Sequence, residues 1–103
     1  MAITAKSLAD GQLPSSKGTL YTSAGVTYVR FIRCHNTSAV NTETVIIYLN
    51  RGTGSRIIMY SDSLGPHYTM GDEPYLTMAA GDTLEGVSTH ATKTDYVITG
   101  ATA

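Results

Sequence analysis

The stretch ETVIIYLNRGTGSRIIMY, residues 43–60, contains the clearest structural signal in the chain. Its apolar side chains alternate in two short runs, and these runs are separated by Gly52 and Gly54, which can adopt turn conformations closed to most residues. Alternation with a period of two places successive side chains on opposite faces of a strand. The stretch therefore predicts a β-hairpin. One face of its first strand is predicted to carry Val45, Ile47 and Leu49, and the other face Thr44, Ile46 and Tyr48.

A second turn is indicated in MAAGDTLEGVST, residues 78–89, where a short apolar run ends and an alternating run begins at once. Gly81 can take a positive φ, and the Asp82 side chain can hydrogen-bond to nearby backbone. We therefore predict a tight turn at which two strands meet.

The rest of the chain repeats short runs rich in Val, Ile, Thr and Tyr, with turn residues roughly every 8–12 positions. No segment shows the 3.6-residue period of an amphipathic helix. Strands are predicted at residues 18–23, 26–36, 43–51, 55–60, 66–70, 74–78, 83–89 and 94–100. This pattern predicts an all-β fold, an antiparallel β-sandwich with a jelly-roll-like arrangement.

Residues 1–14 differ from the remainder, and we predict that they form an extended N-terminal arm outside a β-sandwich domain of residues 15–103. Ile3, Leu8 and Leu13 follow neither the strand period nor the helix period. A terminal segment of this kind is ordered only when something holds it. We expect the arm to cross to a neighbouring subunit or to lie along a partner as an added strand, and its deletion to leave the fold largely intact.

The alternating members of the best-defined strands give the predicted core. These residues are Tyr28, Ile32, Cys34, Val45, Ile47, Leu49, Leu84 and Ile98. Several strands are also apolar on their second face, as at Ile46 and Tyr48 in the hairpin. In a chain this short, such strands predict that one sheet is covered from outside.

The composition argues against two classes of partner. The chain of 103 residues is long enough for one domain, its net charge is −1, and only 15% of its residues are charged. Nucleic-acid binders usually present a basic face, and peripheral membrane contacts usually need a cluster of basic residues. We therefore predict no nucleic-acid partner and no membrane contact.

The N-terminal residues lack the apolar core of a signal peptide, and no apolar run approaches the roughly 18 residues of a membrane span. Cys34 is the single cysteine, which rules out a disulfide within the chain. We expect a soluble protein that is not exported by a secretory signal.

The chemically reactive residue types do not combine into a catalytic or metal-binding pattern. Cys34 and His35 are neighbours on a predicted strand, so their side chains point to opposite faces and do not form a nucleophile–base pair. His35, His67 and His90 lie in different segments without the short spacing of metal ligands. The glycines of residues 51–56 join two strands and precede no helix that could hold a phosphate. We therefore predict no catalytic residue, no metal, no cofactor and no enzymatic activity.

Tyrosine is the notable aromatic residue, with seven copies and no tryptophan in the chain. Tyrosines can stack on sugars, fill a sandwich core or form subunit interfaces, because an apolar ring carries a polar tip. A carbohydrate-binding role therefore stays open beside a structural one.

Laid end to end, the quoted motifs resemble a group of small all-β virion proteins of tailed bacteriophages, over nearly the whole chain. The resemblance is carried by AKSLADGQLPSSKGTLYT at residues 5–22, a long strand ending in NTS at residue 38, VIIYLNRG at 45–52, LTMAAGDTLEGVST at 76–89 and DYVITG at 95–100. The chain departs from the family pattern at SDSLGPHYTMGDEPY, residues 61–75, where a longer loop could carry a specific contact.

The resemblance implies a capsid decoration (cement) protein on the surface of the phage head, assembled in the host bacterial cytoplasm. Its expected partners are further copies of itself, as a homotrimer, and the phage major capsid protein. Expected contact residues are Ile3, Leu8, Leu13, Phe31, Arg33, His67 and Tyr68. The alternative is a receptor- or carbohydrate-binding module of a tail fibre or baseplate.

Overall fold

The computed structural model describes residues 4–103, which form nine β-strands and no helix, hence none long and apolar enough to cross a membrane. The strands are β1 (Thr4–Gln12), β2 (Gly18–Thr22), β3 (Thr27–Asn36), β4 (Glu43–Asn50), β5 (Ser55–Leu64), β6 (Thr69–Asp72), β7 (Leu76–Met78), β8 (Thr83–Ser88) and β9 (Thr94–Thr102).

The strands form two antiparallel sheets, which confirms the predicted all-β sandwich. Sheet A has the order β1-β9-β3-β6, with β7 also paired to β3, and sheet B has the order β2-β8-β4-β5. The first strand pairs with the last, the second with the eighth, and β4 with β5. The chain thus follows the path of a long hairpin rolled into two layers, which is a jelly-roll-like arrangement.

Each of the eight predicted strands corresponds to an observed one, with different ends in several cases. The strand predicted at residues 66–70 begins at Thr69, because the preceding residues form a turn. His67 has a positive φ of 59°, and the Tyr68 N–H donates to the Gly65 carbonyl at 3.1 Å.

The β4–β5 hairpin has the predicted form. Gly52 and Gly54 take positive φ values of 86° and 114° in the connecting turn. The predicted inward residues Val45, Ile47 and Leu49 are buried, whereas the residues between them are only partly buried. Strict alternation therefore describes β4 along its whole length.

The predicted turn at residues 79–82 is present. Gly81 has a φ of 90°, and the Asp82 carboxylate accepts the backbone N–H of Ala79 at 2.9 Å. The turn joins β7 of sheet A to β8 of sheet B, so it carries the chain from one layer to the other.

The core lies between the two sheets, and seven of the eight predicted core residues are buried there. They are Ile32, Cys34, Val45, Ile47, Leu49, Leu84 and Ile98. The sequence pattern did not identify the other buried apolar residues, which are Leu13, Val29, Met59, Leu64, Met78 and Tyr96.

The prediction was wrong for Tyr28, which is 37% exposed on the outer face of sheet A. The pairing of β3 with β9 shifts register between Val29 and Phe31, so that Arg30 is an extra residue in β3. A bulge of this kind reverses the alternation of side chains along the strand. Val29 therefore enters the core in place of Tyr28, and Ile32 keeps its predicted inward position.

Gly100 of β9 faces this bulge at very close range. A β-carbon at position 100 would overlap the backbone carbonyl oxygen of Tyr28 and lie 3.1 Å from a methyl group of Leu8. Only glycine leaves room for this approach of two backbones. The identity of one residue in β9 thus permits the bulge in β3.

The predicted N-terminal arm is also wrong for the described residues. Thr4–Gln12 pair along their length with β9 of the same chain, so they form an edge strand of sheet A. Leu13 is fully buried in the core, and Leu8 packs against it. Ile3 lies outside the described residues.

A second bulge explains why the apolar residues of this segment follow no regular period. The pairing of β1 with β9 shifts register between Ser7 and Ala9, which leaves Leu8 as the extra residue. Deleting residues 2–14 would therefore remove a strand and the core side chain of Leu13, and we now expect such a truncation to destabilise the sandwich.

Candidate interaction surfaces

Cys34 and His35 lie on opposite faces of β3. Cys34 is fully buried in the core, and burial raises the pKa of its thiol to about 12. The His35 side chain lies on the outer face, with Nδ1 2.7 Å from the Thr69 hydroxyl oxygen. The two side chains do not form a nucleophile–base pair, and the thiol is held in its unreactive protonated form.

The three histidines lie in different elements of the fold. His35 lies in sheet A, while His67 and His90 are in the β5–β6 and β8–β9 loops. In the part of the chain from residue 4 onward, no group of three or more His, Cys, Asp or Glu residues could hold a metal ion.

His90 instead binds a buried carboxylate at the start of β4. The Glu43 side chain is 0% exposed, and its Oε1 accepts the His90 backbone N–H at 2.8 Å. Glu43 Oε2 lies 2.5 Å from His90 Nδ1. Burial of a carboxylate costs free energy unless its oxygens accept hydrogen bonds. Both oxygens have partners here, so the contact with His90 holds the β8–β9 loop against β4.

The outer face of sheet B carries a contiguous apolar surface, which we call the sheet B patch. Its residues are Ile46, Tyr48, Ile57, Tyr60 and Val87. Ile46 stands between Tyr60 on β5 and Val87 on β8, and Tyr48 is opposite Ile57 on β5. Ile57 and Tyr60 are 58% and 55% exposed, so the patch extends to the free edge of the sheet.

Polar groups border the patch on one side. The Lys17 ammonium lies 5.1 Å from the centre of the Tyr48 ring and donates to the Ser55 hydroxyl at 2.9 Å. The Ser55 hydroxyl in turn donates to the Glu85 carboxylate at 2.5 Å. An apolar centre with a polar rim is the usual anatomy of a protein–protein contact.

The outer face of sheet A is more polar. Arg33 is paired with Val97 across the sheet, and His35 with Asp95. The Phe31 ring lies over Gly71, where a β-carbon would come within 2.7 Å of the ring. Phe31 is therefore partly covered by its own sheet.

A concavity of about 370 Å³ lies at the other end of this face, and we call it the tyrosine recess. Its residues are Ala5, Tyr28, Val29, Arg30, Tyr75, Leu76, Thr77, Gly100 and Ala101. Four strands and the β6–β7 loop supply this lining, and the β3 bulge at Arg30 lies within it. The bulge that turned Tyr28 outward therefore also shapes the recess.

Tyr75, in the β6–β7 loop, has an unusual backbone conformation. Its φ is 48°, which is rare for a bulky residue, and its side chain is 68% exposed. The hydroxyl donates to the Glu73 carboxylate at 2.5 Å. The hydrogen bond and the charge of Glu73 raise the pKa of Tyr75, while Arg30 acts in the opposite direction.

The predicted contact residues do not come together in one place. Leu13 is buried in the chain's own core, so it is not available to a partner as expected, and Leu8 is half-buried against that core. Phe31 and Arg33 lie on the outer face of sheet A. His67 and Tyr68 are exposed in the β5–β6 loop, where Tyr68 is 69% exposed.

Comparisons with known proteins give matches among solved structures. No protein-family model and no curated protein matches the chain. Two crystal structures of a pentameric capsid protein isolated from metagenomic phage sequences are similar over 90% of this chain, with TM-scores of 0.49 and 0.48 and sequence identities of 16% and 17%. This chain spans 59% and 57% of the length of those two chains.

Proposed function

We propose that this protein is a structural component of a tailed-bacteriophage virion, and specifically a decoration protein that binds and stabilises the outer surface of the head. The proposal starts from the sequence resemblance, which extends over nearly the whole chain. The structural observation that supports it best is the sheet B patch. A contiguous exposed apolar surface on a small protein is typical of a protein–protein contact.

The proposed occupant of the sheet B patch is a second copy of the chain. Ile57 and Tyr60 lie at the edge strand, where a neighbouring subunit can reach them without disturbing the fold. Decoration proteins often stand at local three-fold positions of a head lattice, and by this analogy we propose a homotrimer.

The proposed capsid contact uses surfaces that the trimer would leave free. Phe31 and Arg33 on sheet A, with His67 and Tyr68 in the β5–β6 loop, are the proposed residues. The partner is the major capsid protein, and assembly takes place in the bacterial cytoplasm.

Two measurements on the full chain test this function. Analytical ultracentrifugation is expected to give the mass of a trimer, and Ile57→Asp is expected to shift it to the monomer. Val40→Asp is the matched control, because Val40 is 81% exposed in the β3–β4 loop and outside the patch. A wild-type monomer at high concentration would contradict the proposed assembly.

Cosedimentation with empty heads of the same phage tests the location. We expect saturable binding to heads and none to isolated tails. Binding to tails or fibres alone would instead select the alternative, a receptor- or carbohydrate-binding module, which the tyrosine recess favours.

A further inference from the structure

We propose that the tyrosine recess binds one neutral hexopyranose ring of a glycan. The recess lies on the outer face of sheet A, in the opposite layer from the sheet B patch. The inference goes beyond the proposed decoration role and deepens the carbohydrate-binding alternative, and the decoration role can hold whether or not the recess binds a sugar.

The shape and the apolar lining of the recess suit a sugar ring. Its volume of about 370 Å³ falls within the range of roughly 300–1,000 Å³ that is usual for small-ligand sites. Tyr28 and Tyr75 are 37% and 68% exposed, so their rings are open to a ligand. One face of a pyranose consists largely of C–H groups, which pack against an aromatic ring, while the hydroxyls remain at the edge.

The polar groups of the recess favour a neutral ligand with several hydroxyls. Arg30 supplies hydrogen-bond donors, and the Thr77 hydroxyl can both donate and accept. The Glu73 carboxylate, which accepts the Tyr75 hydroxyl, adds acceptors at the same place. Because Arg30 and Glu73 have opposite charges, the pair offers no net attraction for an ion.

The same groups disfavour two other occupants. An anion such as a phosphate would meet the Glu73 carboxylate beside Arg30, which is the only cation among the described residues that line the recess. An apolar side chain of a protein would cover Arg30 and Glu73 without replacing their hydrogen bonds to water, which is unfavourable.

Tyr75 is positioned before any ligand arrives. The short loop that carries it connects β6 and β7, and both of these strands pair with β3. A residue kept in a sparsely populated backbone region is over-determined by its surroundings, and such residues concentrate at binding sites. A fixed ring also lowers the entropy lost when a ligand binds.

A nuclear magnetic resonance titration of the full chain tests the proposal. The probes are the methyl glycosides of glucose, galactose and mannose, each raised to about 50 mM, since one ring in a shallow site binds with a dissociation constant on the order of 1 mM. We expect saturable shifts for at least one glycoside at amides of residues 28–30, 75–77 and 100–101. Adenosine and N-acetyl-tyrosinamide serve as aromatic and peptide-like controls.

Three variants assign the binding to the recess. Tyr75→Ala is expected to weaken binding at least tenfold, and Tyr75→Phe to weaken it less because the ring remains. Tyr68→Ala is the matched control, since Tyr68 is 69% exposed and lies outside the recess. The proposal is overturned if none of the three glycosides gives saturable shifts, if Tyr75→Ala leaves the affinity unchanged, or if a control compound binds more tightly than every glycoside.

Discussion

The central strands of the two sheets, β3 and β4, are built in different ways. Burial alternates strictly along β4, whereas β3 loses its alternation at Arg30 and Phe31. The outer side of β4 is accordingly an even apolar surface, and the outer side of β3 carries a concavity beside its bulge. A regular strand thus presents a surface suited to a large partner, while a bulged strand re-aims side chains and opens a recess for a small one.

The largest loss of stability is expected when the glycine that permits the β3 bulge is replaced. In Gly100→Ala the new methyl group would overlap the Tyr28 carbonyl, which is backbone and cannot move aside without breaking the β3–β9 pairing. We expect a loss of at least about 4 kcal/mol in the free energy of unfolding, or no folded protein. Gly25→Ala is the control, because a β-carbon there meets nothing within 4 Å. Equal urea midpoints for the two variants would show that the bulge does not depend on glycine.

The contrast between β3 and β4 also explains how much of the fold can be predicted from the sequence alone. Alternation located the hairpin and seven buried core residues, since a period of two is a direct consequence of strand geometry. It failed at Tyr28 and at Leu8, where one extra residue shifts the phase. A bulge depends on which strand lies alongside, and that pairing joins residues distant in the sequence.

The two candidate surfaces also differ in how far the sequence predicts them. The apolar second face of β4, at Ile46 and Tyr48, is visible in the sequence, and it predicts a sheet that is covered from outside. The tyrosine recess was not visible, because Tyr28, Arg30 and Tyr75 meet only after β3 bulges and β7 pairs with it. The abundance of tyrosine was the one signal that pointed toward it.

The next prediction compares the loss of stability when an isoleucine is truncated on the buried face of the hairpin and on its exposed face. Ile47 on β4 is fully buried and Ile57 on β5 is 58% exposed. Ile47→Ala should lower the free energy of unfolding by about 2–5 kcal/mol through the cavity that it leaves. Ile57→Ala should lower it by no more than about 1 kcal/mol in the monomer. Urea denaturation measures both, and similar losses would mean that Ile57 is packed as deeply as Ile47.

A smaller effect is expected at the start of β4. His90→Ala would remove the partner of Glu43 Oε2 while the backbone N–H still binds Oε1. Leaving one oxygen of a buried carboxylate without a partner costs about 1–3 kcal/mol. His67→Ala, at an exposed loop position, should stay within about 0.5 kcal/mol of the wild type. If the two variants have the same urea midpoint, the His90–Glu43 contact does not stabilise the regular strand.

The last prediction concerns the pH dependence of stability that Cys34 causes, which is the smallest of these effects at neutral pH. Cys34 faces the core because side chains alternate in that direction along β3 after its bulge. Burial raises the pKa of the thiol from 9.0 to about 12, so the folded protein keeps this proton between pH 9 and 12 while the unfolded chain loses it. The stabilisation is complete below pH 9 and is lost as the pH rises, by about 1.4 kcal/mol per pH unit within that window. Cys34→Ala lacks the thiol but keeps every tyrosine, so the difference between the two urea-denaturation series isolates Cys34. Equal slopes against pH, together with alkylation of native Cys34 as fast as in urea, would place this side chain outside the core.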